Sequence, residues 1–168
     1  MARWFDREAI WRDAKVDSSR MKWLNTFDID CIIEMINARS SADEQVLPPT
    51  REERVRLARC ISHVNARPSS ADRNAQLARR AASMYYSVVK SRPLPDGNRR
   101  FAAAALAMLM IDNNYLPQWS SDDLYATAMR DDSRPGEVMR IYEDLALLIF
   151  SSIRPLTKAD LPVGFPIA

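Results

Sequence analysis

Glycine, histidine and cysteine are all scarce in this chain of 168 residues, which has three glycines, one histidine and two cysteines. A sheet protein with many tight turns usually needs more glycines than this. Strong helix formers dominate between the prolines, so we expect an all-α fold. Cys31 and Cys60 lack the spacing of a zinc or redox site, and both fall on apolar helix faces, where burial is the usual outcome. A reducing cytoplasm is the simplest setting, and a secreted effector stays an open alternative.

Long apolar runs and a basic stripe are missing as well. No apolar segment reaches the roughly 20 residues that span a bilayer, and the charged N-terminus does not resemble a signal peptide. The 24 basic and 22 acidic residues are interspersed and leave a formal net charge of +2. Nucleic acid binding usually needs a clustered basic surface. We therefore expect neither a membrane nor a nucleic acid as the partner.

Helical patterns fill most of the chain, and its 47% hydrophobic content can bury one core. The apolar spacing predicts a single bundle of about six or seven helices, with helices over about 28–38, 51–64, 74–90, 101–111, 121–130 and 135–150. Residues 101–111 are apolar on every side, so this helix should be buried at the centre of the bundle. We place an N-terminal extension at 1–23, with one short helix, the helical domain at 24–154, and an extended proline-containing tail at 155–168.

Several helix ends carry their own signals. Thr50 and Glu53 have the spacing of a capping box, and Ser120 or Ser121 can cap a later helix. Asn113 and Asn114, with Pro117 just beyond, should stop the central helix. Pro135 is expected in the first turn of the last helix. Residues 65–73 combine proline with small polar residues and read as a surface loop or short flap.

The segment 92–100, Arg-Pro-Leu-Pro-Asp-Gly-Asn-Arg-Arg, leads directly into the central helix. The first turn of a helix leaves backbone N–H groups without partners and carries the positive end of the dipole, which favours an anion. Gly97 allows a close backbone approach, Arg99 and Arg100 suit phosphate oxygens, and Asp96 could hold a Mg²⁺ ion that bridges phosphates. The alternative is an ordinary turn followed by a helix cap that binds nothing.

Residues 92–100 also resemble the motif of the Fic/Doc family, His-Pro-Phe-x-Asp/Glu-Gly-Asn followed by Gly or Lys and then Arg. Residues 78–90 and 101–115 are similar to the two helices that flank the family's loop, and 27–38 is similar to an earlier helix, so the resemblance covers about 24–150. It implies a helical Fic-like domain with a short flap. Family members transfer AMP, another nucleotide fragment or a phosphoryl group to a hydroxyl of a target protein.

The resemblance assigns a role to each matching residue. Asp96 would bind the Mg²⁺ that accompanies ATP or another nucleotide. Neither the ion nor the nucleotide is expected to be tightly bound. Gly97 and Asn98 would form the anion hole, Arg100 would bind the outer phosphates, and Arg99 would lie beside the nucleotide. The loop 65–73 would dock the target protein. A second copy of the chain or an antitoxin-like protein are further partners that the family makes plausible.

Two departures from the family motif decide what activity to expect. Arg92 stands where the family has its catalytic His, and a guanidinium stays protonated at physiological pH, so it cannot act as a general base. Loss of the general base would lower the rate of transfer by about 10²–10⁴-fold. Arg99 replaces the Gly or Lys of the family motif, so the motif does not indicate which fragment of a nucleotide would be transferred. His63 is expected to be solvated, and the pairs Asp122-Asp123 and Asp131-Asp132 to be capping and solvated surface.

Three functions remain open at this stage. The first is a pseudoenzyme that keeps the nucleotide-binding loop but lacks the base. The second is a transferase of unusual mechanism, acting on a protein or a small molecule, because positioning and anion stabilisation alone can supply much of a phosphoryl-transfer rate. The third is a structural helical module. The family's inhibitory motif has no full match, since the nearest segment, 40–45, ends in Gln.

Overall fold

A computed structural model of the chain describes residues 21–62, 73–157 and 160. Its helices follow one another as α1 (Asp28–Asn37), α2 (Arg51–Ser62), α3 (Arg73–Ser91), α4 (Asn98–Asp112), α5 (Ser121–Ala128) and α6 (Glu137–Ser151). A 3₁₀ turn covers Ala42–Glu44, and two short strands, β1 (Tyr115–Pro117) and β2 (Ile153–Pro155), pair antiparallel. The predicted all-α bundle is confirmed, with this two-stranded sheet as a small addition.

Helix α4 lies at the centre of the described bundle, as its composition predicts. None of its residues from Phe101 to Asp112 is exposed, because α1, α3 and β1 surround it. Helix α3 packs along both α4 and α6 and so forms the second internal layer. Each large apolar side chain buried in this way contributes about 1.5–3 kcal/mol. The start of α4 is thereby held on a rigid, buried element.

The predicted helix signals are largely confirmed. The Thr50 amide donates to the Glu53 carboxylate at 2.8 Å and the Glu53 amide donates to the Thr50 hydroxyl at 3.3 Å, which is a capping box. Ser120 caps α5 by accepting the Asp123 amide at 3.3 Å. Helix α4 ends at Asp112, and Asn114 then takes a left-handed φ of 67°.

Pro135 lies outside the helix that it was expected to begin. Gly136, the N-cap of α6, has a left-handed φ of 82°, so the helix starts only at Glu137 and Pro135 belongs to the preceding turn. Cys60 is buried as expected, whereas Cys31 is only half-buried. The expected flap at 65–73 falls mostly outside the described residues, and its last residue, Arg73, already begins α3. The expected N-terminal helix lies wholly outside them.

The two ends of the helical domain are joined to its core. Both the amide and the carbonyl of Lys22 bond to the Asn113 side chain, at 3.0 and 2.8 Å, and Arg80 lies 4.5 Å over the Trp23 ring. Extended chain begins at Ile153, slightly before the predicted tail, because β2 pairs with β1 there. Nowhere in the described ranges is a helix long and apolar enough to cross a membrane.

Candidate anion site at the start of helix α4

The loop between α3 and α4 turns through two left-handed residues. Arg92 has a φ of 46° and its amide donates to the Val88 carbonyl at 3.2 Å, which closes the end of α3. Gly97 has a φ of 78° and is the N-cap residue of α4. Only glycine adopts this conformation without strain, so Gly97 is required by the turn itself. The Arg92 side chain is exposed at the other end of the loop.

The buried Asn98 side chain closes this loop into a ring. Its Oδ1 accepts the Leu94 amide at 2.9 Å, and its Nδ2 donates to the Leu94 carbonyl at 2.8 Å. Leu94 is buried too, so water cannot easily replace either bond. The side chain to which the family resemblance assigns a place in the anion hole is therefore engaged with the backbone of the loop. It fixes the shape of the loop from which an anion would be bound.

The first backbone amides of α4 are open. The Phe101 amide bonds to the Gly97 carbonyl at 2.8 Å, which is the first bond of the helix. The preceding amides, those of Asn98, Arg99 and Arg100, have no partner among the described residues, and no side chain caps this helix. Most helix starts satisfy some of these groups with a side chain. Three N–H groups at the positive end of a helix are the kind of arrangement that can bind an anion.

One side of the loop is covered by the segment before α2. Asn37 fixes this segment, because its side chain accepts the Val46 amide and donates to the Val46 carbonyl, each at 2.8 Å. The Val46 side chain then packs on Gly97 so closely that a Cβ atom at Gly97 would lie 2.5 Å from a Val46 methyl carbon. Gly97 is thus required by close approach as well as by its dihedral angle.

The two arginines of the first turn leave in different directions. Arg99 pairs with Asp122 and places its guanidinium carbon 4.5 Å over the Tyr125 ring of α5. Arg100 donates to the Glu44 carbonyl and lies 3.5 Å from both the Ser40 hydroxyl and the Asp96 carboxylate. Asp122 lies in the first turn of α5 with 88% of its side chain exposed, as expected of a solvated surface residue, and it also pairs with Arg99.

Asp96 lies at the mouth of the loop, with 90% of its side chain exposed. A carboxylate placed beside open amides could hold Mg²⁺ that is also bound by phosphate oxygens. In the described residues, no group of three or more His, Cys, Asp or Glu side chains could hold a metal by itself. His63, which was expected to be solvated, lies outside the described residues.

Tyr85 of α3 is a fully buried residue with a polar group. Its hydroxyl is enclosed and has no hydrogen-bond partner in the described part of the chain. Burial raises the pKa of Tyr85 to about 12, with nearby Arg99 acting in the opposite direction and Tyr125 adding a smaller increase. No sequence signal separates this tyrosine from its neighbour Tyr86.

Tyr86 is instead fully engaged. Its hydroxyl donates to Asp132, which also pairs with Lys90 at 3.2 Å. Burial and then this hydrogen bond raise the pKa of Tyr86, and the same bonds lower the pKa of Asp132. Asp132 was expected to be solvated surface, and it is a structural contact between α3 and the loop before α6.

These neighbouring tyrosines give a matched pair of expected results. Tyr85→Phe should raise the free energy of unfolding by up to about 1 kcal/mol, because it removes a buried hydroxyl without a partner. Tyr86→Phe should lower it by about 1–2 kcal/mol, because Asp132 loses a donor. Urea unfolding followed by circular dichroism measures both. A loss at Tyr85 as large as that at Tyr86 would mean that the Tyr85 hydroxyl has a partner, such as a buried water.

Comparisons with models of protein families, with curated proteins and with solved structures find no match to this chain. The resemblance to the Fic/Doc family therefore stays a prediction. It depends on residues 92–100 and on the helices around them, which the structure describes as α3, the loop and α4.

Proposed function

We propose that this chain is a Fic-like domain that binds the phosphates of a Mg-nucleotide at the start of α4 and lacks the general base for efficient transfer. The observation that carries the proposal is the set of three open amides, at Asn98, Arg99 and Arg100, beside the exposed carboxylate of Asp96. An acid next to an anion site is unfavourable for a bare phosphate but suits a metal-bound one. The proposed ligand is therefore a nucleotide with its magnesium ion.

Ligand binding would exchange contacts that the loop now makes within the protein. Arg100 is shared between Asp96, Ser40 and the Glu44 carbonyl. Asp96 would hold the Mg²⁺ of the nucleotide, and the Arg100 guanidinium would then be free to bond to a phosphate oxygen, where a charge-assisted bond is stronger. Arg99 keeps its stacking on Tyr125 and contributes positive potential from the side of α5.

Arg92 limits the chemistry at this site. Its exposed guanidinium is permanently protonated and cannot take a proton from an attacking hydroxyl. The proposed activity is therefore binding, or transfer at a rate about 10²–10⁴-fold below that of a domain with a base. A nucleotide bound at this site could then serve as a ligand that the protein senses or presents to a partner.

Calorimetric titration with Mg-ATP tests this proposal. We expect binding to the full chain and a loss of about 10–100-fold in affinity for Arg100→Gln, since one charge-assisted bond is removed. Asp96→Asn should weaken Mg-ATP but leave metal-free ATP unchanged or tighter, because a negative charge beside the phosphates is gone. Arg56→Gln is the matched control, because Arg56 pairs with Glu52 on the surface of α2.

Absence of heat with Mg-ATP and with other phosphorylated donors would contradict the proposal and favour a structural module. Equal affinities for the Arg100→Gln and wild-type chains would place any binding elsewhere. An assay with radiolabelled ATP distinguishes a binding protein from an active transferase. Transfer of label well above background that is lost in Asn98→Ala would show a working transferase. Arg92→His should raise any such transfer, since it restores a proton acceptor at the end of the loop.

A further inference from the structure

An open groove between α3 and α6 exposes large apolar side chains to solvent. It has a volume of about 340 Å³, and Ala75, Ala78 and Ala146 are among its lining residues. Leu147 and Phe150 of α6 line it too, and they keep 64% and 43% of their surface exposed. The groove lies at the beginning of α3, whereas the α4 loop follows the end of α3, so the two surfaces are separate. An apolar surface of this kind indicates a contact with another molecule.

The same groove carries one charge of each sign. Arg79 of α3 and Glu143 of α6 both line it, and both are exposed. Neither side chain makes an ion pair or a hydrogen bond within the described part of the chain. A surface that combines apolar side chains with unpaired charges of both signs fits a partner that carries the same combination.

The antiparallel arrangement of α3 and α6 decides which residues lie at the same height along the groove. Tyr86, late in α3, contacts Tyr142, early in α6, with ring centroids 4.8 Å apart, whereas the groove joins the first turns of α3 to the later turns of α6. The alanines of α3 therefore lie near the height of the large apolar residues of α6. Arg79 and Glu143 line one small groove, so a long arginine side chain can bridge the remaining difference in height.

A two-fold axis along the groove would make this face complementary to itself. Rotation by 180° about such an axis keeps each residue at its height and lays α3 of one copy on α6 of the other. Leu147 and Phe150 of each copy then lie over the small alanines of the other. Arg79 meets Glu143 of the second copy, and the symmetry forms the reciprocal ion pair at the same time.

We propose that the face formed by α3 and α6 binds a second copy of this chain, with the large apolar residues of α6 at its centre and two symmetric ion pairs between Arg79 and Glu143. The charges decide in favour of a second copy, because each copy supplies both the cation and the anion that the other leaves unpaired. The proposal is independent of any ligand at the α4 loop.

The size of the face sets the expected strength of the dimer. Helix α6 has 15 residues and is about 22 Å long, and two helices side by side are about 20 Å wide. The footprint is therefore about 440 Å² per copy, whereas a typical stable interface buries about 800 Å² per partner. We expect a reversible dimer with a dissociation constant of about 1–100 μM.

Charge reversal tests the proposed pairing, with sedimentation equilibrium of the full chain as the measurement. Arg79→Glu and Glu143→Arg each bring like charges together and should raise the dissociation constant of the homodimer about 10-fold or more. An equimolar mixture of these two variants should associate as tightly as the unmodified chain, because an acidic face then meets a basic one. The chain with both substitutions should also dimerise, since both ion pairs are reversed.

The apolar centre of the face is tested with Leu147→Asp. This change should raise the dissociation constant about 10–100-fold, because a charge is buried in the contact. Val55→Asp is the control, since Val55 is an apolar residue of α2 with 46% of its surface exposed, and it should leave dimerisation unchanged. Circular dichroism checks that each variant is folded.

Three results would overturn the proposal. A chain that stays monomeric up to about 500 μM, well above the expected dissociation constant, would leave a different protein as the occupant of the groove. A dimer that is insensitive to both charge reversals and to Leu147→Asp would have its contact elsewhere. Failure of the two charge-reversed variants to associate with each other would exclude the pairing of Arg79 with Glu143.

Discussion

Replacing Gly97 with alanine should lower the free energy of unfolding by about 2–5 kcal/mol. Two independent effects add. A left-handed backbone costs a residue with a side chain about 1–2 kcal/mol, and Gly97 has a φ of 78°. The new Cβ would also lie 2.5 Å from a Val46 methyl carbon, and overpacking of this kind costs about 1–3 kcal/mol. Chemical denaturation of the purified variant measures the sum.

Two further variants separate these effects. Gly136→Ala is the matched control, because Gly136 has a similar φ of 82° but nothing within 4 Å of the added Cβ, so it should show the backbone strain alone. In a Val46→Ala background the clash is relieved, and Gly97→Ala should then cost only about 1–2 kcal/mol. If the cost of Gly97→Ala is the same in both backgrounds, crowding by Val46 is not its cause.

The bundle and its helix ends could be predicted because they depend on local information. A helix that is apolar on all sides must be enclosed, and the surroundings of Phe101 to Asp112 agree. The Thr50–Glu53 capping box and the stop at Asn113 are formed by residues within four positions of each other. The start of α6 could not be read in this way, because the dihedral angle of Gly136 decided it and Pro135 alone did not.

The contacts that shape the candidate site are long-range, and this is why the sequence could not reveal them. Nothing in the local pattern indicates that Val46 covers Gly97 or that Arg100 reaches the Glu44 carbonyl, since these partners are about 50 residues apart. The ion pair between the exposed Asp122 of α5 and Arg99 of α4 was not predicted for the same reason. The sequence shows which residues the loop contains, but the partners of its two arginines could not be predicted from it.

Replacing Asn98 with alanine should lower the free energy of unfolding by about 2–4 kcal/mol. The substitution removes both bonds to Leu94 and leaves a buried N–H and a buried C=O without partners. The loop should lose its fixed shape, so the affinity of any anion for the α4 amides should fall with it. Urea unfolding gives the stability change, and calorimetry with Mg-ATP gives the affinity.

Asn37 is a control for Asn98, because it makes the same kind of hydrogen bonds but is more exposed to solvent. Its side chain makes the equivalent pair of bonds to Val46, both at 2.8 Å, but the residue is only half-buried. Water can replace those bonds, so Asn37→Ala should cost about 1 kcal/mol. Equal losses for the two variants would show that burial of the loop is not what makes the Asn98 bonds strong.

The Asn98→Asp variant adds a dependence on pH. An ionised carboxylate still accepts the Leu94 amide but faces the Leu94 carbonyl, which repels it, whereas the protonated acid can donate to that carbonyl. The folded state therefore holds this proton more tightly than the unfolded chain, and the raised pKa makes the variant lose stability as the pH rises. Measured relative to the unmodified chain, the deficit of Asn98→Asp should be smaller at pH 4 than at pH 7. A deficit that does not change with pH would mean that the side chain at this position does not bond to both groups of Leu94.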